Sequence, residues 1–132
     1  MVRRSTKRGF TLIELIVVIS IIMILVSIAV PIYSQSIKRA KEAVLRQDLF
    51  AMRSLIDQYT MDKAKAPQSL DDLVQAGYLK EIPKDPFTDS RDTWQVVQED
   101  TLTSVDQNEP GISDVHSGSS LTSSDGTAYS SW

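Results

Sequence analysis

Lys7-Arg8-Gly9-Phe10-Thr11-Leu12-Ile13-Glu14-Leu15 sets a basic leader against an apolar run that continues to Ile37 without a further Asp, Glu, Lys or Arg. At ~1.5 Å rise per residue, the roughly 23 positions from Leu15 to Ile37 reach ~35 Å as a helix, enough to cross a bilayer. One carboxylate, Glu14, interrupts the run near its start. A charged side chain in an apolar helix costs on the order of 2.5 to 3.5 kcal/mol at the bilayer centre and less near the end. Glu14 therefore either marks the end of the span or has a partner within it. Met1 to Ala29 also reads as an ordinary secretory signal, with a basic start, an apolar middle and small residues at Ser27 and Ala29. That reading leaves a soluble exported domain. Glu14 at the join of the basic and apolar parts, and Pro31 just past the cut, weigh against it. Arg3, Arg4, Lys7 and Arg8 before the run are matched by Lys38, Arg39, Lys41 and Arg46 after it, so loop charge does not choose an orientation.

The basic leader, Gly9, Phe10-Thr11-Leu12-Ile13-Glu14, the Leu/Ile/Val run and Pro31 together resemble the N-terminus of type IV pilins and type II secretion pseudopilins. The resemblance implies a class III leader, residues 1–9, removed after Gly9 by a prepilin peptidase that also methylates Phe10. It further implies that Glu14 pairs with the amine of a neighbouring Phe10 and sets subunit register. Met1 would lie in the cytoplasm and the C-terminal part beyond the inner membrane.

Composition limits the remainder. The leader carries four of the 14 Lys+Arg and no acid, so a chain cut after Gly9 holds 10 basic against 17 acidic residues, a net charge of −7. An acidic exported part has no basic footprint for nucleic acid. Cysteine is absent, so no disulfide is available to staple a small head. Many type IV pilins close their C-terminal loop with a disulfide and the major pseudopilin typically does not, so the resemblance leans to the latter.

After Pro31 the helical pattern continues, with Leu45, Leu49, Met52, Ile56 and Tyr59 on one stripe at spacings of 4, 3, 4 and 3. The expected division is a membrane or filament-core half-helix over 10–33, an amphipathic half-helix over 34–64 and an α+β part over 65–132. Pro31 removes one hydrogen bond and clashes with the carbonyl four residues back, so it kinks the helix or separates two helices. Ala66-Pro67 ends the long helix. Ser69 with Asp72 starts a short one over Leu70 to Ala76, and Gly77 stops it. Tyr78-Leu79 and Pro83-Lys84-Asp85-Pro86-Phe87 form a proline-fixed connection that resembles a segment of the G-type major pseudopilin.

Trp94 to Gln98 alternates as a strand, with Gly111 to Val115 a weaker antiparallel partner; together they should bury Trp94, Val96, Ile112 and Val115. The serine-rich tail, Ser117 to Ser131, has the composition of a disordered segment, but Tyr129 and Trp132 suit anchors. Asp114, Ser117, Ser119 and Asp125 could offer oxygens to a hard cation. Major pseudopilins bind calcium in this loop, so the resemblance implies calcium; a simple turn at Asp125-Gly126 is the alternative. Asp106-Gln107-Asn108-Glu109-Pro110-Gly111 begins like an EF-hand loop, but Pro110 at its fifth position and Ser117 at its twelfth exclude one.

His116 is the one histidine, with no cysteine beside it and no G-x-S-x-G elbow in the chain, so the reading is non-enzymatic. The expected fold is α+β and type IV pilin-like: a long N-terminal helix packed on a small antiparallel sheet. The expected function is a structural subunit of a type II secretion pseudopilus. Its implied partners are copies of itself in a helical homopolymer, the prepilin peptidase, minor pseudopilins, the inner membrane, and an assembly platform with its ATPase. A surface type IV pilin is the alternative.

Overall fold

Thr11 starts the first helix: its Oγ1 accepts the backbone N–H of Glu14 at 3.2 Å, and its carbonyl accepts that of Leu15 at 3.2 Å. This is the N-cap arrangement that threonine favours, and it puts the Glu14 carboxylate in the first turn, beside the positive end of the helix dipole. The computed structural model describes residues 8–99 and 110–132. Helix α1 spans Leu12–Lys63, and the chain divides into two units, one ending at Ile37 and the other beginning at Lys38.

In the first unit α1 carries an exposed apolar surface along its length, and α1 is long and apolar enough to cross a membrane. The helix passes through Pro31 without a break, so Pro31 does not separate two helices. Proline cannot donate to the Ser27 carbonyl. Two serines flanking it turn back onto the backbone, Ser27 Oγ to the Ile24 carbonyl at 2.7 Å and Ser34 Oγ to the Pro31 carbonyl at 3.0 Å.

The second unit packs on the remainder of α1. Leu45, Leu49, Met52, Ile56 and Tyr59 are all buried, as the 3/4 spacing requires. Each such side chain contributes about 1.5 to 3 kcal/mol when fully removed from water. Ala64, in the left-handed region at φ 54°, follows the last turn. Helix α2 spans Leu70–Gln75. Asp72 Oδ2 accepts the Gln68 and Ser69 N–H groups at 2.8 and 3.2 Å, which occupies orphan donors at its start. At its end Tyr78 N–H reaches the Leu73 carbonyl (2.9 Å) and Gly77 N–H the Val74 carbonyl (3.2 Å), with Gly77 at φ 85°. That pairing is the Schellman stop glycine permits.

Strands β1 (Gln95–Gln98) and β2 (Ile112–His116) pair antiparallel, with Val96 opposite Val115 and an irregularity between Val97 and Gln98. Trp94, Ile112 and Val115 are buried as expected, but Val96 is 40% exposed. The core closes over β2 and leaves all of β1 outside, so alternation along β1 has no second layer to bury it. A 3₁₀ turn, Tyr129–Ser131, ends the described chain, and the fold is α+β.

Candidate functional site

Two places carry the sequence-predicted residues. At the N-terminus, Gly9 and Phe10 precede α1 in non-helical backbone and are exposed, Phe10 to 87%. The Gly9–Phe10 bond thus lies in an accessible stretch outside the helix. Glu14 is exposed on the first turn four residues beyond Phe10. The leader residues Arg3, Arg4 and Lys7, and the EF-hand-like run from Asp106 to Glu109, lie outside the described residues.

The second place is where the tail meets α1 within the head. Glu42 is buried and accepts three hydrogen bonds from the tail: Ser124 N–H at 2.8 Å, Ser124 Oγ at 2.7 Å and the Tyr129 hydroxyl at 2.8 Å. Burial alone would raise its pKa. The bonds from Ser124 and Tyr129, with the Lys38 charge, outweigh burial and hold Glu42 below the ordinary carboxylate value. Burial, then the bond to Glu42 and its charge, pushes Tyr129 up to about 12. One turn on, the Arg46 guanidinium pairs with Asp125 at 3.3 Å and lies 4.4 Å from the centre of the Trp132 ring. Two turns further, Arg53 Nε donates to Asp114 Oδ1 at 2.6 Å, and its terminal nitrogen donates to the Val115 carbonyl at 2.9 Å and to the Trp132 carbonyl. Rings complete the closure: Tyr129 stacks on Phe87 at 3.9 Å and meets Trp132 edge-on at 5.1 Å.

Asp85 is fully buried, accepting from Ser117 Oγ and from Phe87 N–H at 2.9 Å. Burial, and next the Asp85 charge, raises the pKa of Asp48 on α1. His116 is satisfied between Arg53 and Asp114, each at 3.4 Å, as a structural histidine would be.

Each of the four residues expected to bind calcium has a partner within the protein. Asp114 is held by Arg53 and Asp125 by Arg46. Ser117 turns inward to Asp85, and Ser119 Oγ accepts the Leu121 N–H at 3.2 Å. Each carboxylate has a guanidinium as counter-ion, with which a divalent ion at this loop would have to compete. Among the described residues there is also no group of three or more His, Cys, Asp or Glu side chains suited to a metal.

Glu42, Arg46, Arg53 and Asp85 were not singled out from the sequence as site residues. Glu42 had a usable signal, because it extends the stripe at Leu45 and Leu49 one step upstream, a charge on a buried face. The arginines had none, since their partners lie more than 60 positions away.

Residues 4–30 match the prokaryotic N-terminal methylation motif. The type II secretion system core protein G of Klebsiella michiganensis is 34% identical over 101 residues, covering 64% of this chain and 71% of that protein. Its counterpart in Pseudomonas aeruginosa is 34% identical with the same coverage. The type IV major fimbrial protein FimA of Dichelobacter nodosus is 38% identical over 65 residues, 49% of this chain and 41% of that protein. No solved structure matches the chain.

Proposed function

The chain belongs to the family of the type II secretion system core protein G, and on that premise we propose that it is the structural subunit of a type II secretion pseudopilus. It polymerises in the cell envelope to drive folded proteins across the outer membrane. The observation that carries this reading is the reach of the similarity. It covers 64% of the chain for core protein G, well past the N-terminal motif and into the head, against 49% for the fimbrial relative.

The N-terminal residues take assigned roles in this reading. A prepilin peptidase cuts between Gly9 and Phe10 and methylates the Phe10 amine. The apolar part of α1 then anchors the subunit as a single span in the inner membrane, with the head in the periplasm. Assembly exchanges lipid contact for helix contact in the filament core. Glu14, costly as a lone charge in hydrocarbon, pairs with the Phe10 amine of a neighbour; such a pair selects register more than it adds net stability. The role is mechanical and not enzymatic, in keeping with relatives named as components of a secretion system. The subunit works with the assembly platform, its ATPase and minor pseudopilins.

Deleting the gene in its host and complementing it tests the reading. Extracellular enzymes are expected to accumulate inside the cell envelope and to be exported again on complementation. Unchanged secretion with loss of a surface fibre would favour the type IV pilin reading, which the fimbrial relative supports. Intact mass of the membrane-extracted protein checks processing: a chain starting at methylated Phe10 is expected, and one starting at Val30 would make the N-terminus an ordinary signal.

A further inference from the structure

We propose that Lys38, Arg39 and Lys41 form a cationic collar on α1 that binds the headgroups of anionic phospholipids. The inference rests on the reading of the first unit as a membrane span, and it goes beyond that reading by assigning the lipid.

Lys38 directly follows Ile37, the last residue of the apolar run. At ~1.5 Å rise and ~100° per residue, the three cations occupy about 5 Å of the helix axis and spread over roughly 160° of its circumference. The headgroup layer on each side of the ~30 Å hydrocarbon core is about 5 to 8 Å deep, so one layer accommodates all three. Four of the seven Lys and Arg beyond Lys41 are ion-paired among the described residues, and Lys63, Lys65 and Lys80 are not. Arg46, Arg53, Lys84 and Arg91 each pair with a carboxylate. Among the described residues Arg39 and Lys41 are exposed and have no ion pair. The acid nearest in sequence, Glu42, has Lys38 one turn before it, but its oxygens are taken by Ser124 and Tyr129.

Charge along the chain favours an anionic membrane as the occupant. Beyond Lys41 the chain has 16 acidic against seven basic residues, a body that an anionic surface repels. The collar is the cationic part next to the bilayer. Loss of the leader in the pseudopilin reading takes Arg3, Arg4, Lys7 and Arg8 with it, so the Lys and Arg side chains left flanking the span are those of the collar. Each Lys or Arg beside an anionic surface strengthens association about fivefold, and salt weakens it within a Debye length.

The test uses the full chain, purified in detergent and supplied with equimolar phosphatidylglycerol and phosphatidylcholine, with bound lipids counted by native mass spectrometry. Phosphatidylglycerol adducts are expected to exceed phosphatidylcholine adducts at least about fivefold. The excess is expected to disappear in the K38Q/R39Q/K41Q variant and to persist in K63Q/K65Q. No preference in the wild-type chain, or one that survives the triple substitution, overturns the collar. So does a triple variant that self-associates less while its lipid preference is unchanged, because the cations then face a second copy. Flotation with pure phosphatidylcholine liposomes reads the span separately: a chain that floats but shows no lipid preference refutes the collar alone.

Discussion

The carboxylate of Glu42 accepts the Tyr129 hydroxyl at 2.8 Å across 87 positions of sequence, joining the buried face of α1 to the end of the tail. Two more bonds from Ser124 make Glu42 the acceptor for three tail donors. Glu42→Gln removes the charge and replaces an acceptor oxygen by a donor amide. A loss of about 1.5 to 3 kcal/mol is expected, the range for hydrogen bonds to a charged group. Urea unfolding of the full chain in detergent, followed by tryptophan fluorescence, measures it.

The same carboxylate sets an acid limit. Its folded pKa is lowered, so its stabilisation is present above the unfolded value near 4.5 and is lost as pH falls through the folded value. The wild-type melting temperature is therefore expected to fall more steeply than that of Glu42→Gln below pH 4.5. Parallel curves would show that Glu42 is not the titrating lock. Tyr129 has the opposite sense: with a folded pKa near 12, its contribution is present below about 10 and is lost as pH rises through 12.

Asp48 opposes Glu42. Its folded pKa is raised by burial and by Asp85, so its ionised form destabilises the fold at neutral pH. Asp48→Asn is expected to raise the melting temperature at pH 7, with the gain shrinking as pH falls through the folded pKa of Asp48. Thermal melts at pH 7 and pH 4 read both parts of the statement.

Removing divalent cations tests the calcium expectation directly. Asp114 and Asp125 are already neutralised by Arg53 and Arg46, so a chelator is expected to leave the melting temperature unchanged. Arg53→Met, which breaks three attachments of β2 and the tail, is expected to lower stability by about 2 to 3 kcal/mol. A chelator-induced drop restored by calcium would return the ion to this loop.

Gly118 is a packing constraint. A Cβ there would lie 1.9 Å from the Thr93 carbonyl oxygen, a backbone atom that cannot swing away. Gly118→Ala is expected to destabilise by at least about 2 kcal/mol. Gly77→Ala meets no neighbour but keeps a left-handed φ of 85°, for about 1 to 2 kcal/mol. Denaturant midpoints of the two variants rank the effects.

The helices were legible because their signals are local. The stripe from Leu45 to Tyr59 fixes which face of α1 is buried, and Ser69, Asp72 and Gly77 bound α2 through groups within a few residues of one another. Tyr129 was legible as an anchor because a large ring in a serine-rich tail has more to gain from burial than from water. Val96 was misplaced because alternation tells which residues share a face, and not whether another layer covers that face.

By itself, then, the sequence determined the long helix, its apolar half, the motif around Gly9, Phe10 and Glu14, and the short helix after Pro67, all set by periodicity and nearest-neighbour chemistry. Only the tertiary structure decided how the tail is held. Whether Asp114 and Asp125 meet an ion or an arginine depends on which side chains α1 presents to them across more than 60 positions of chain. Composition supplies the oxygens, and spacing cannot say which cation reaches them, because that follows from packing around Leu45, Leu49 and Tyr129 once the core has closed.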